Sequence, residues 1–304
     1  MKLITLAFLA VALLCRGAGV WAQGVALFPP GGGEGSGEPE MKALAEAYPD
    51  RISRAAIVDG DWAVEVKGQW FFWASGRILP QSQRAHLKCY ARFRFYPYPL
   101  GGLPPLPQLD TTTATRLKQA LKDSRVHPPR RSEDFLERLY DADSREETES
   151  NLVIVDFLGF PVRVHQRIAG PLADVAAECS TLCKIDPQAA AFFVGLSEVD
   201  GFNYRDIAGT ATRSYHSYGL ALDLIPRTYG GKAPYWRWVM EKAGEKSEDW
   251  WTTPYDQRWM VPLSVVAIFE KHSFAWGGKW LFFDTMHFEY RPEIFILAKQ
   301  QVAP

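Results

Sequence analysis

Apolar and polar positions along this chain follow two periods, and the switches between them mark its elements. Met41 to Tyr48 has helical spacing. After the turn signal Asp59-Gly60, Trp62, Val64 and Val66 alternate with Ala63, Glu65 and Lys67, which predicts a strand. Gly68 ends it before the run Gln69-Trp70-Phe71-Phe72-Trp73, and Tyr90 to Tyr96 alternates again as a further strand. A Pro-rich passage, Pro97 to Pro107, marks a boundary. Helical spacing resumes over Thr111 to Lys122 and over Ser132 to Tyr140, where Ser-Glu-Asp resembles a capped start. The charged stretch Asp141 to Glu149 reads as a solvated connection. A strand is expected from Leu152, and Ile168, Leu172, Val175, Ala176, Cys179 and Leu182 form a helical stripe. Leu220, Leu222 and Leu224 give a strand with a leucine face and Asp223 on the opposite face. His287 and Glu289 share one face of another strand, with Phe288 and Tyr290 on the other.

The amino-terminal end obeys a different rule. Lys2, the apolar run Ile4 to Leu14 and the small-residue site Val20-Trp21-Ala22 predict a secretory signal over residues 1–22, cleaved before Gln23. Residues 23–40 are mostly Gly, Pro and Glu and are expected to be a flexible linker. The motif-bearing domain is placed at 149–297. Between linker and domain lies a region of unassigned role, 41–148, expected to be a mixed β-hairpin and helix unit. It is either packed against the motif-bearing domain or loosely tethered to it. The whole is expected to be α+β, with a small antiparallel sheet carrying the site on one face and helices packed behind it.

Composition narrows the function. Among 304 residues, 34 basic and 35 acidic side chains nearly cancel, which argues against a nucleic-acid partner. After signal cleavage no apolar run approaches the ~20 residues that span a bilayer. Eighteen Phe, 12 Tyr and 11 Trp supply a large core. The tryptophans between Trp236 and Trp280 are read mainly as core, with glycan stacking a lesser role. Of the cysteines outside the signal, Cys179 and Cys183 sit on an apolar helix face and are expected to be small buried hydrophobes, as is usual for unpaired cysteine.

The chemistry lies in Tyr204-Arg205, in Ser214-Tyr215-His216-Ser217-Tyr218-Gly219-Leu220-Ala221-Leu222-Asp223, and in Asp284-Thr285-Met286-His287-Phe288-Glu289. An odd offset puts His216 and Asp223 on opposite faces of a continuous strand, so the chain must bend between them, and Gly219 is placed to allow it. Asp284 can join the His287 face only through a turn or bulge near Thr285-Met286. Two histidines, an aspartate and an extra acid fit a three-ligand catalytic zinc that keeps a position for water. On residue pattern alone, Glu289 is as good a general base as Asp284, and Arg213 competes with Arg205 for a substrate carboxylate. His86, His127, His165 and His272 have no ligand-spaced partners.

The strings Ser214-x-His216-x-x-Gly219-x-Ala221-x-Asp223 and Asp284-x-x-His287-Phe288-Glu289 resemble the M15 family of zinc peptidases, the D-alanyl-D-alanine carboxypeptidase/VanY group. Trp276-Gly277-Gly278 before the second string points to one branch of it. The resemblance spans about residues 150–292. It implies Zn2+ bound by His216, Asp223 and His287, with Asp284 as general base and Arg205 polarising the scissile carbonyl. It also implies Ser214 as a substrate or supporting contact and Glu289 as support for a ligand. The expected partner is a peptidoglycan stem peptide, in the periplasm or outside the cell. The expected reaction is removal of terminal D-alanine. The alternatives are an L-alanyl-D-glutamate endopeptidase or a non-catalytic zinc-binding wall module. A serine penicillin-binding enzyme is excluded, because no serine has lysine three residues on.

Overall fold

The computed structural model describes residues 35–302 apart from 129 and 244–248, so the signal and most of the linker lie outside the described residues. Helix α1 (Glu38–Ala47) begins inside the expected linker. Pro39 sits in its first turn, where a missing N–H breaks no helical bond, and Glu38 and Glu40 suit the positive end of the helix dipole. Just ahead of it, the Gly35 carbonyl accepts a hydrogen bond from the Trp73 indole at 3.1 Å.

Strands β1 (Ile52–Val58), β2 (Asp61–Val66), β3 (Gln69–Trp73) and β4 (Ile78–Pro80) form an antiparallel meander in that order. The strand expected over Tyr90 to Tyr96 is absent: the segment joins no ladder, and Phe95 N–H turns back onto Phe93 O at 2.9 Å. Its backbone is fastened at isolated points, Ala91 N–H to Arg130 O (2.7 Å) and Phe93 N–H to Gly76 O (2.7 Å). Phe93, Phe95 and Tyr96 are all buried, so the alternation reflects packing without strand pairing.

Helix α2 (Thr111–Val126) is capped by Asp110, and α3 (Asp134–Tyr140) starts after Ser132, whose hydroxyl bonds Asp134 without capping the helix. The expected solvated connection contains a short helix α4 (Arg145–Ser150), because Ser144 caps it by accepting from Glu147 N–H.

The hairpin β5 (Leu152–Phe157) and β6 (Phe160–His165) leads into α5 (Gln166–Leu182), which buries the predicted stripe from Ile168 to Cys179. Cys179 is a buried free thiol that burial pushes up to about 12, whereas Cys183, expected to be buried too, caps the end of α5 and is only half-buried. After α6 (Pro187–Val194) come β7 (Leu196–Asp200), β8 (Ala221–Pro226), α7 (Trp236–Ala243), α8 (Leu263–Lys271), β9 (Phe274–Trp276), β10 (His287–Tyr290) and α9 (Pro292–Val302). These strands form an antiparallel sheet in the order β7-β8-β10-β9, so the architecture is α+β as predicted.

Leu222, Leu224 and Phe288 face the core, where the Phe288 ring stacks on Phe269 of α8 at 4.0 Å. The same apolar cluster continues through Phe135 and Phe71 to Met41 and Leu44 of α1. Region 41–148 is therefore packed against the second sheet, with α1 lying against α9. Among the described residues no helix is long and apolar enough to cross a membrane.

Candidate metal centre

His216 is delivered by one 3-10 turn, Tyr215–Tyr218. Ser214 caps the turn, its hydroxyl accepting from His216 N–H at 3.3 Å. Gly219 then adopts φ 68° and directs the chain into β8. A Cβ at Gly219 would lie 2.7 Å from the His165 backbone nitrogen and from Leu152, so both conformation and space demand glycine. This is the bend that the odd spacing of His216 and Asp223 requires.

Antiparallel register then sets Asp223 opposite His287 and Ala221 opposite Glu289. Asp223 Oδ1 lies 2.9 Å from His287 Nδ1 and 3.3 Å from His216 Nε2, and those two nitrogens are 3.1 Å apart. One donor atom from each of the three residues lies within 4.8 Å of the others, so the set could hold a metal ion. Two imidazoles and one carboxylate match the donors zinc prefers. The far nitrogen of each ring also has a partner: His216 Nδ1 is 2.6 Å from Gly201 O, and His287 Nε2 is 3.5 Å from Glu289 Oε2. Such contacts fix tautomer and ring orientation, leaving the near nitrogens as acceptors.

The charges are strongly coupled. Burial opposes ionisation of Asp223, but His216 and His287 overcome it and hold the carboxyl far below its ordinary range. Burial likewise disfavours a His287 cation, yet hydrogen bonds to Asp223 and Glu289 raise that imidazole to about 10. Glu289, despite burial, is held at about 2 by His287 and Arg291.

Asp284 reaches this face through the predicted turn, in which His287 N–H approaches Asp284 O at 3.3 Å. The Trp276-Gly277-Gly278 element secures it. Asp284 N–H donates to Gly277 O (3.0 Å), and the Trp276 indole donates to Thr285 O (2.9 Å). A Cβ on Gly277 would sit 2.4 Å from Asp284 O, so only glycine lets the two backbones meet. Asp284 Oδ1 is buried with no hydrogen-bond partner among the described residues. Burial first, then the negative charge of Asp223, push its carboxyl up to about 7. Raised basicity in an unsatisfied carboxylate is what a proton-transfer group needs.

The remaining candidates separate clearly. Arg205 is exposed, without an ion-pair or hydrogen-bond partner for its side chain among the described residues. Its backbone is held beside the His216 turn by Ser217, whose Oγ accepts Arg205 N–H at 2.7 Å. Arg213 is committed elsewhere, to Glu137 (3.1 Å) and the carbonyls of Ala142 and Ser217, with its guanidinium 4.0 Å from the Tyr218 ring centre. That clamp ties α3 to the His216 turn and occupies the cation. Ser214 serves the turn as its cap. Glu289 braces His287 from the side away from Asp223. Of the tryptophans, Trp236, Trp250, Trp251 and Trp276 are buried, and Trp238 is 43% exposed.

Sequence reasoning missed Gly201, Ser217 and Arg291. Arg291 is the most consequential, since its Nη1 donates to Glu289 Oε1 at 2.9 Å. The charge pattern Glu289-x-Arg291-x-Glu293 was its one visible signal.

Residues 208–290 match the peptidase M15 family model described as D-alanyl-D-alanine carboxypeptidase. The matched segment holds His216, Asp223, Asp284, His287 and Glu289, and begins after Arg205. It supports a peptidase domain of that family in this part of the chain. Residues 40–95 match a domain of unknown function. No curated protein and no solved structure matches the chain.

Proposed function

We propose that this protein is an exported zinc peptidase that removes the terminal D-alanine from peptidoglycan stem peptides. The observation that carries the reading is convergence. Three metal donors within 4.8 Å stand beside an acid whose carboxylate oxygen is buried and unpartnered, all within the carboxypeptidase match.

The residues fit zinc on their own chemistry. His216 would offer Nε2, His287 Nδ1 and Asp223 Oδ1, while Gly201 O and Glu289 keep the other ring nitrogens protonated. When bound, zinc supplies Lewis acidity, polarising the scissile carbonyl and bringing the pKa of water to about 7.

The chain's own groups do the rest. Asp284 takes the proton of the attacking water at its carboxylate and delivers it to the leaving amine nitrogen, so the carboxylate is regenerated each turnover. Arg205 brings a guanidinium to the oxygen that becomes negative as the carbonyl is attacked. Because Asp284 Oδ1 is buried away from bulk water, its proton affinity is tuned by the fold.

The test is metal content together with product analysis on a defined pentapeptide muropeptide. Near-stoichiometric zinc and release of free D-alanine are expected. A cut between L-alanine and D-glutamate would replace this reading with the endopeptidase. Zinc-loaded protein that leaves both bonds intact would replace it with a non-catalytic wall-binding module.

A further inference from the structure

We infer that Arg291 is a positioning residue for the metal centre, and that region 41–148 supplies the inner wall that holds it in place. The inference rests on the zinc reading above. Arg291 is 1% exposed and sends each arm of its guanidinium to a different acceptor. Nη1 donates to Glu289 Oε1 at 2.9 Å, Nε donates to Glu293, and Nη2 donates to Arg94 O at 2.6 Å. Glu289 in turn faces His287 Nε2 through its other oxygen.

The outer end of this chain of contacts belongs to the amino-terminal half. Tyr48, the residue that ends α1, donates its hydroxyl to Glu293 Oε2 at 3.0 Å, across 245 residues of sequence. Tyr140 of α3 donates to the Tyr48 hydroxyl at 2.9 Å. Tyr96 approaches Glu289 Oε1 at 3.5 Å. Arg94 and Tyr48 both lie in the segment matched by the domain of unknown function.

Stability alone does not account for such an arrangement. Replacing a buried ion network by apolar side chains is often neutral or stabilising. What the network supplies is direction. A planar, forked guanidinium fixed at three points leaves Glu289 one orientation, and Glu289 fixes the His287 ring. Lysine carries the same charge without the fork.

The experiment compares zinc affinity, by chelator competition, and the absorption spectrum of the cobalt-loaded full chain across four proteins. These are wild type, Arg291→Lys, Tyr48→Phe and Arg77→Lys. Arg77 is a buried arginine that bonds the Tyr90 and Ser75 carbonyls, outside the network. Arg291→Lys is expected to weaken zinc about 10- to 100-fold and shift the cobalt bands. Tyr48→Phe should move both in the same direction by less, and it decides the matter if Arg291→Lys does not fold. Arg77→Lys should lower only the melting temperature. Wild-type affinity and an unchanged cobalt spectrum in Tyr48→Phe and in any folded Arg291→Lys overturn the inference and leave the zinc reading standing. Wild-type protein that takes up neither metal overturns both.

Discussion

His216 Nε2 and His287 Nδ1 face each other at 3.1 Å, while the far nitrogen of each ring faces an acceptor. Two lone pairs are thereby aimed at one point, beside Asp223. Such a pair is tolerable only with a cation between the rings, either a proton or a metal. Without metal, His287 is raised to about 10, so the proton is held at neutral pH. Zinc needs the neutral imidazole. Zinc binding at pH 7.5 should therefore release about one proton per metal. Calorimetric titration in buffers of different ionisation enthalpy measures this directly, and zero release would contradict the arrangement.

Asp284 must be ionised to accept a proton, so activity should fall as pH drops through its pKa. The free carboxyl lies at about 7, and a nearby dication pulls it lower. The acid limb of kcat/KM is expected at or below pH 7. Asp284→Asn should lose about 10²- to 10⁴-fold in kcat and keep its zinc. Equal activity in the variant would transfer the role of base to Glu289.

Much of this site was legible because its determinants are local. The Leu220/Leu222/Leu224 face fixed the orientation of Asp223, Gly219 announced the bend, and the His287/Glu289 alternation held in β10. What escaped was non-local. Nothing near Tyr48 signals that its hydroxyl ends on Glu293, and nothing near Arg94 marks its carbonyl as an acceptor for Arg291. Alternation over Tyr90 to Tyr96 misled for a related reason: period two reports which side chains are buried, not whether the backbone has a pairing partner. Arg205 and Arg213 are indistinguishable as isolated basic residues, and only tertiary contacts show that one is committed.

Glu289 gives the metal-free protein an acid-sensitive stability. Its folded pKa of about 2 lies below the ordinary 4.5, so the stabilisation is present above pH 4.5 and lost as pH falls toward 2. Asp223 acts in the same direction. Chelated protein should melt lower at pH 3 than at pH 5. Glu289→Gln should show a shallower decline over that interval in a thermal-melt series.

Gly277 tests the fastening of Asp284. A Cβ there meets the Asp284 carbonyl oxygen at 2.4 Å, a backbone atom that cannot swing aside as a side chain would, whereas Gly102 has nothing within 4 Å. Gly277→Ala is expected to destabilise by about 1–3 kcal/mol, as overpacking does. It should also depress kcat, because the displaced atom belongs to the base. Gly102→Ala should be silent in both. Denaturant melts and single-substrate kinetics on the two variants make the comparison.

The two arginines should separate in the same way. Arg205→Ala removes an exposed cation with no partner among the described residues, so the melting temperature should hold while kcat/KM falls by about 10²- to 10³-fold, the scale of one oxyanion donor. Arg213→Ala strips Glu137 of its ion pair and leaves the Ala142 and Ser217 carbonyls without their donor. That change should destabilise by on the order of 2 kcal/mol and loosen the His216 turn. Its residual kcat/KM, measured well below the melting temperature, should stay nearer wild type than that of Arg205→Ala. The reverse ranking would move the oxyanion role to Arg213, and would require its clamp on α3 to open during turnover.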